Sequence, residues 1–327
     1  MRLFVLIAAL AGAAVFGVAL AIGNAYVFFA GYVVLQFVVL ATAWNILGGY
    51  AGYVNFGSAA FFGLGAYSTV VIMQLIGPTG AFPLLGLETE SAAIPLLLVV
   101  GGVVSGIIGL GMGYLTLRLR GAFFSIATLA LAVVAQTFIV NWEWVGGSRG
   151  AYVIPPAHVA VLGSFIDYLF LVMLALAVIS IVIARAIERS RLGYGFTTIR
   201  DDELAAEACG VPTLRVKLIA TTVSGALMGM AGAPYPFYVT YLDPSSTFSL
   251  YYAVNAIAMP VVGGTTSWVG PLVGSVLLST VQQVATVTIS SAVNLLIVGV
   301  LLVAFVIIAP NGIVGLIAGR RWLGRRR

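Results

Sequence analysis

LFVLIAALAGAAVFGVALAIGNAYVFFAGYVVLQFVVLATAWNIL, residues 3–47, carries no charged side chain, and the charge-free run continues to residue 87. A hydrocarbon core of ~30 Å needs ~20 consecutive apolar residues in a helix rising ~1.5 Å per residue. Residues 3–47 therefore hold two crossings, broken at Gly23 and Asn24. Charge-free runs recur at 91–117, 121–142, 168–184, 218–242 and 244–319. Splitting them at Gly, Pro and polar breaks predicts ten spans: 3–22, 25–47, 57–76, 93–116, 121–141, 163–185, 216–237, 248–263, 269–287 and 292–309. The fold class expected is all-α, a polytopic integral membrane protein forming one transmembrane domain over residues 1–327. Composition agrees: of 327 residues 61% are hydrophobic and 8% charged, against ~25% charged in a soluble domain.

Arg2 before an Ala-rich stretch has features of a secretory signal, but no clear small-residue cleavage site follows, so a retained helix is expected. The eighth span is interrupted by Pro260, Gly263 and Gly264 and reads as a shortened or re-entrant piece. Starting with the N-terminus inside, fourteen of the fifteen basic residues fall on the cytoplasmic side. Arg149 falls outside with Glu88, Glu90, Glu143, Asp167, Asp243 and His158. That asymmetry predicts that both termini are cytoplasmic.

Several chemistries are excluded or disfavoured. One cysteine and one histidine cannot build a disulfide framework or a zinc site, and neither HExxH nor another His-centred constellation is present. No GxxxxGK[ST] phosphate loop exists, because the single lysine, Lys217, follows Val216. No catalytic or metal site is expected, this chain should bind no cofactor, and the net charge of +5 is a topology signal that implies no nucleic acid. No titratable side chain falls near the middle of a span, which disfavours a proton symporter. A sodium-coupled carrier, using backbone carbonyls of broken helices, or a passive channel remains open as an alternative.

The long polar insertion reads RAIERSRLGYGFTTIRDDELAAEACGVPTLRVK at 185–217, with six basic and five acidic side chains. Mixed signs suggest a folded element facing another protein, and the segment at 186–215 is taken as one unit. Within it a helix from about Asp201 to Cys209 has acids in its first turn and Gly210 then Pro212 as stop signals. Arg200, Glu203 and Glu207 share one face, and Leu204, Ala208 and Val211 another. Periodicity alone equally allows an interfacial helix lying on membrane lipid headgroups.

Two stripes of glycine, Gly102, Gly106, Gly109 and Gly113, then Gly225, Gly229 and Gly232, predict close helix packing. GYAGYVNFGSAAFFGLGAY at 49–67 is too glycine-rich for a comfortable continuous helix and reads as a broken or re-entrant segment, or else a tight cytoplasmic turn. GGTTSWVGPLVG at 263–274 follows the eighth span in the same way. Asn55, Ser58, Ser125, Thr128, Gln136 and Asn255 are candidates for a polar translocation route, with helix-to-helix hydrogen bonding the alternative for the fifth-span polar stripe and Asn255. Trp142, Trp144 and Tyr152 suit either an aromatic belt or a docking surface for an external binding protein.

IRDDELAAEACGV at 199–211 resembles the coupling-helix motif of permease subunits, LivM type, in ABC importers of branched-chain amino acids, urea and amides. RSRLG at 189–193, GYAGYVNFGSAAFFGLGAY, LRLRGAFFSIATLA at 117–130, GGSRG at 146–150 and GGTTSWVGPLVG extend the resemblance over most of the chain. The chain departs from the family pattern at Tyr194 and Thr197, at Asn55, Phe56, Gly57 and Ser58, at Asn255, and at Gly264, Thr265, Thr266 and Ser267. The resemblance implies a permease of the inner, cytoplasmic membrane that pairs with a second homologous permease subunit. It implies two cytoplasmic ATPase subunits, which carry the ATP and Mg, and an extracytoplasmic solute-binding protein. It also implies that Arg200, Asp201, Asp202, Glu203, Leu204, Ala206, Glu207 and Gly210 meet the ATPase.

Overall fold

The structure, a computed structural model, describes residues 1–76, 90–155, 164–288, 293–308 and 312–316. In chain order the helices are α1 (Arg2–Ile22), α2 (Ala25–Leu47), α3 (Ser58–Ile76), α4 (Glu90–Thr116), α5 (Ala122–Val140), α6 (Phe165–Glu188), α7 (Arg191–Asp201), α8 (Glu203–Ala208), α9 (Thr213–Gly232), α10 (Tyr235–Val239), α11 (Pro244–Thr247), α12 (Leu250–Gly263), α13 (Val269–Thr288) and α14 (Val293–Ile308). Every segment predicted to span is helical. Among the described residues, eight helices are long and apolar enough to cross a membrane. The other two predicted spans correspond to α12, with 14 residues, and α14, with 16. At ~1.5 Å per residue α12 is about 21 Å long, short of a ~30 Å core, which agrees with a shortened eighth segment.

The bundle is built around α2, α3 and α9, whose long buried runs include Phe37, Leu40, Phe61, Phe62, Leu227 and Met228. The mostly apolar helix α1 lies at the edge, with Leu3, Leu6, Leu10 and Val18 exposed. The glycine stripes are the seam between α4 and α9. A Cβ on Gly109 would lie 3.2 Å from the Thr221 carbonyl, and one on Gly225 would lie 3.1 Å from the Ser105 carbonyl. Gly229 is enclosed from two sides, by Gly101 and Ser105 of α4 and by Gly65 of α3. With the backbones this close, Ser105 donates to the Phe61 carbonyl (3.0 Å) and Thr69 to the Ala233 carbonyl (2.8 Å), joining α3 to both neighbours.

The stretch at 49–67 is only half irregular. Residues 48–57 form a non-helical, largely buried connection, but helix resumes at Ser58 and runs through Gly63 and Gly65. Those two glycines do not break α3, because they receive the Phe248 ring and the Gly229 backbone. The second glycine-rich break joins α12 to α13, and the two breaks touch: a Cβ on Gly49 would come within 2.6 Å of the Thr265 carbonyl.

A two-residue ladder, β1 (Ala151–Tyr152) antiparallel to β2 (Tyr241–Leu242), closes the end opposite α7 and α8. No sequence signal marked it. Trp142 and Trp144 stack there (6.0 Å), and the Tyr152 side chain is exposed. Glu88, His158 and the arginines after Gly319 lie outside the described residues.

Candidate functional site

Ser190 starts the polar insertion by capping α7, its hydroxyl accepting from Gly193 N–H (3.4 Å). Gly193, Phe196 and Ile199 then form the inner face of α7. Asp202 ends α7 and begins α8: its carboxylate accepts from Leu204 N–H (2.9 Å) and Ala205 N–H (3.1 Å). Gly210, with φ of 84°, allows the turn out of α8 toward Pro212 and α9. The single helix read from 201 to 209 is therefore the shorter α8, with the N-cap at Asp202 because its side chain satisfies two backbone donors.

The insertion is fastened to the bundle by Lys217, which sits one turn into α9 and is 2% exposed. Its Nζ donates to Glu203 Oε1 (2.6 Å), to the Tyr53 hydroxyl (3.1 Å) and to the Leu117 carbonyl (3.2 Å). It also lies 4.6 Å from the centroid of the Tyr53 ring. The Tyr53 hydroxyl donates in turn to Glu203 Oε2. Arg120 approaches the same carboxylate (3.8 Å) and that of Glu207 (3.5 Å), and Thr213 donates to Glu207 (2.8 Å). One glutamate of α8 thus gathers the 48–57 connection, the α4–α5 turn and the start of α9.

Burial raises the cost of ionising Glu203. Hydrogen bonds from Lys217 and Tyr53, together with the charges of Lys217 and Arg120, more than offset that burial and hold the carboxyl below its usual range. The Tyr53 hydroxyl is pushed up, first by burial and then by its bond to Glu203. An ammonium enclosed with one well-matched carboxylate and two further acceptors is a rigid junction, since losing any partner leaves a buried charge.

The predicted docking residues therefore divide. Glu203 and Ala206 face the bundle, and Arg200 reaches back toward the Gly49 carbonyl (3.5 Å). Asp201, Asp202, Leu204, Glu207 and Gly210 remain exposed, with the Leu204 side chain 63% accessible and Tyr194 of α7 72%. A cleft of about 460 Å³, bordered by Gly52, Tyr53, Arg120, Ser125, Arg200 and Glu203, opens beside them. The outward surface is thus an apolar tip ringed by polar groups.

The six route candidates do not form one lining. Ser125 and Thr128 hold the 48–57 connection to α5, Ser125 donating to the Val54 carbonyl (2.8 Å) and Thr128 Oγ1 accepting from Phe56 N–H (3.2 Å), while Asn55 braces the connection from within, its Oδ1 accepting from Gly57 N–H (2.7 Å). Ser58 is fully buried at the start of α3, and Gln136 is half-buried farther along α5. Asn255 joins α12 to α13, accepting from Gln282 Nε2 (2.7 Å) and donating to the Tyr251 carbonyl (2.8 Å). Sequence reading passed over Gln36 and Thr42 of α2 and Ser224 of α9, which carry buried polar atoms without a hydrogen-bond partner. It also missed Tyr53 and the role of Lys217; the one available signal was a solitary lysine beginning an apolar span.

Comparison with known proteins agrees with this architecture. The profile of the family described as "Branched-chain amino acid transport system / permease component" matches residues 26–306. The high-affinity branched-chain amino acid transport system permease protein LivM of Salmonella typhimurium is 26% identical over 85% of this chain and 67% of its own length. Its Escherichia coli namesake is 25% identical with the same coverage. A probable branched-chain amino acid transport permease protein LivH of Methanocaldococcus jannaschii is 24% identical over 80% of this chain and 82% of its own. No solved structure gives a significant match. With the profile covering most of an all-helical, multi-span bundle, the chain belongs to the permease-component family of branched-chain amino acid transport systems.

Proposed function

We propose that this permease is the force-receiving transmembrane subunit of an ATP-driven importer. α7 and α8 seat in a cytoplasmic ATPase, and the Glu203–Lys217 junction passes the motion of that ATPase into α9 and the 48–57 connection. The observation that carries this reading is the division of α8: Glu203 is tied inward at 2.6 Å while Leu204, the next residue, projects outward. A helix meant only to lie on lipid headgroups would need no buried ion pair to hold it rigidly against the bundle.

In this reading the chain pairs with a second homologous permease in the inner membrane, and two ATPase subunits hold the ATP and Mg. An extracytoplasmic binding protein delivers a small polar solute, a branched-chain amino acid or a related molecule, to the end bearing Trp144 and Tyr152. The family match and the relatives named for branched-chain amino acid transport support that solute class. Alternating access moves it between helices. Asn55, Ser58, Ser125, Thr128, Gln136 and Asn255 stay in the proposed route, with Gln36, Thr42 and Ser224 added because unpaired polar atoms inside a bundle are costly unless something satisfies them.

The test is purification of the assembled complex, identification of its chains, and uptake into proteoliposomes with and without ATP. Co-purifying ATPase chains and ATP-dependent uptake are expected. Solute uptake by this chain alone without nucleotide would overturn the proposal.

A further inference from the structure

A groove of about 490 Å³ runs between α1, α2, α6 and α13, and its lining is almost wholly apolar. Small residues make the room: Ala8, Ala11 and Gly12 on α1 and Ala177 on α6. Its lining on α1 runs from Phe4 to Val15, about 16 Å at ~1.5 Å per residue, which is close to one leaflet of a ~30 Å core.

The groove has a charged mouth. Phe4 and Trp268 line it at the end carrying α7, and the Arg185 guanidinium lies over both rings, 4.1 and 5.3 Å from their centroids. Arg185 Nε is buried without a hydrogen-bond partner, as is the hydroxyl of Ser267, next to Trp268. The nearest acid in sequence, Glu188, instead accepts from Trp268 N–H (3.1 Å), and among the described residues no carboxylate pairs with Arg185. Arg2 and Arg189 add positive charge at the same end.

We infer that this groove holds an anionic phospholipid, one acyl chain lying along α1 and the phosphate on Arg185. Charge complementarity selects this occupant. A neutral hydrocarbon would fill the groove but leave the guanidinium unpaired, whereas a phosphate accepts from its planar fork. One leaflet of depth with a cation at the interface matches a phospholipid's own dimensions.

The test uses the complete transporter in nanodiscs containing phosphatidylglycerol and phosphatidylcholine, each in turn carrying a photoactivatable acyl chain. Cross-links should map to Ala11 and Leu174, with about a fivefold preference for phosphatidylglycerol, the effect of one interfacial arginine. Arg185→Gln should abolish that preference and Arg185→Lys should retain most of it. Ala8→Trp, which fills the groove and leaves the cation, should abolish the cross-links themselves. Equal labelling by both lipids, a preference that survives Arg185→Gln, or a second permease chain occupying the groove would overturn the inference.

Discussion

Glu203→Gln and Lys217→Met probe the junction unequally, because the two partners differ in access to water. Glu203→Gln leaves the Lys217 ammonium 2% exposed and without its counter-charge, with the new amide oxygen, the Leu117 carbonyl and the Tyr53 hydroxyl as neutral acceptors. Removing one partner of a buried pair costs ~3–5 kcal/mol, and the retained acceptors place this variant near the lower end, about 3 kcal/mol. Replacing Lys217 leaves a carboxylate that keeps Tyr53 and Arg120 and is 14% exposed. The loss is then nearer one charge-assisted hydrogen bond, about 2 kcal/mol. The double variant buries no charge and should lose about 2 kcal/mol in total, so the coupling between the sites is about 3 kcal/mol. Hydrogen exchange of the α8 and first-turn α9 amides, on the complex in nanodiscs, reads these opening free energies. Effects that add to within ~0.5 kcal/mol would show that the contact carries no structural load and would refute the reasoning.

Three further outcomes follow from the same geometry. Since the folded-state pKa of Glu203 is lowered, its contribution to α8 docking is complete above the ordinary glutamate range and is lost as pH falls through the lower folded value. The opening free energy of α8, taken from hydrogen exchange after correction for the pH dependence of intrinsic amide exchange, should therefore be flat from pH 7 down to about that ordinary range and fall only below it, a response that Glu203→Gln should abolish. Gly229→Val should force α3, α4 and α9 apart and cost about 3 kcal/mol in stability, whereas Gly111→Ala, with open space around it in a helix, should cost nothing and add up to ~1 kcal/mol. Asn255→Leu should lose about 1 kcal/mol by breaking the bond to Gln282 and should also slow uptake; uptake that stays unchanged would remove Asn255 from the proposed route.

The spans were legible because bilayer thickness and hydropathy act on whole segments: 25–47 was bounded to the residue by the Gly23 and Asn24 break. The polar insertion was legible through its local chemistry, with Asp202 as a cap and Gly210 as an exit. Which face of α8 points outward was not. Periodicity placed Arg200, Glu203 and Glu207 on one face without saying what that face meets, because facing is set by what lies beneath, and Lys217 lies 14 residues later and Tyr53 150 residues earlier. For the same reason Ser125 and Thr128 read as part of a polar stripe on the fifth span and Asn55 as part of a broken or re-entrant segment, while in the fold all three satisfy the backbone of the buried 48–57 connection. The glycine stripes succeeded because a residue without a side chain predicts close approach whichever neighbour arrives.

Cys209, the sole cysteine, sits exposed at the end of α8 and gives the most direct measurement. A membrane-impermeant maleimide should label it readily in inside-out vesicles carrying the permease without its ATPase, and adding the ATPase should suppress labelling, with Leu204→Arg restoring it. Labelling that the ATPase leaves unchanged, or protection that survives Leu204→Arg, would contradict the assignment of α8 as the surface that receives the motor.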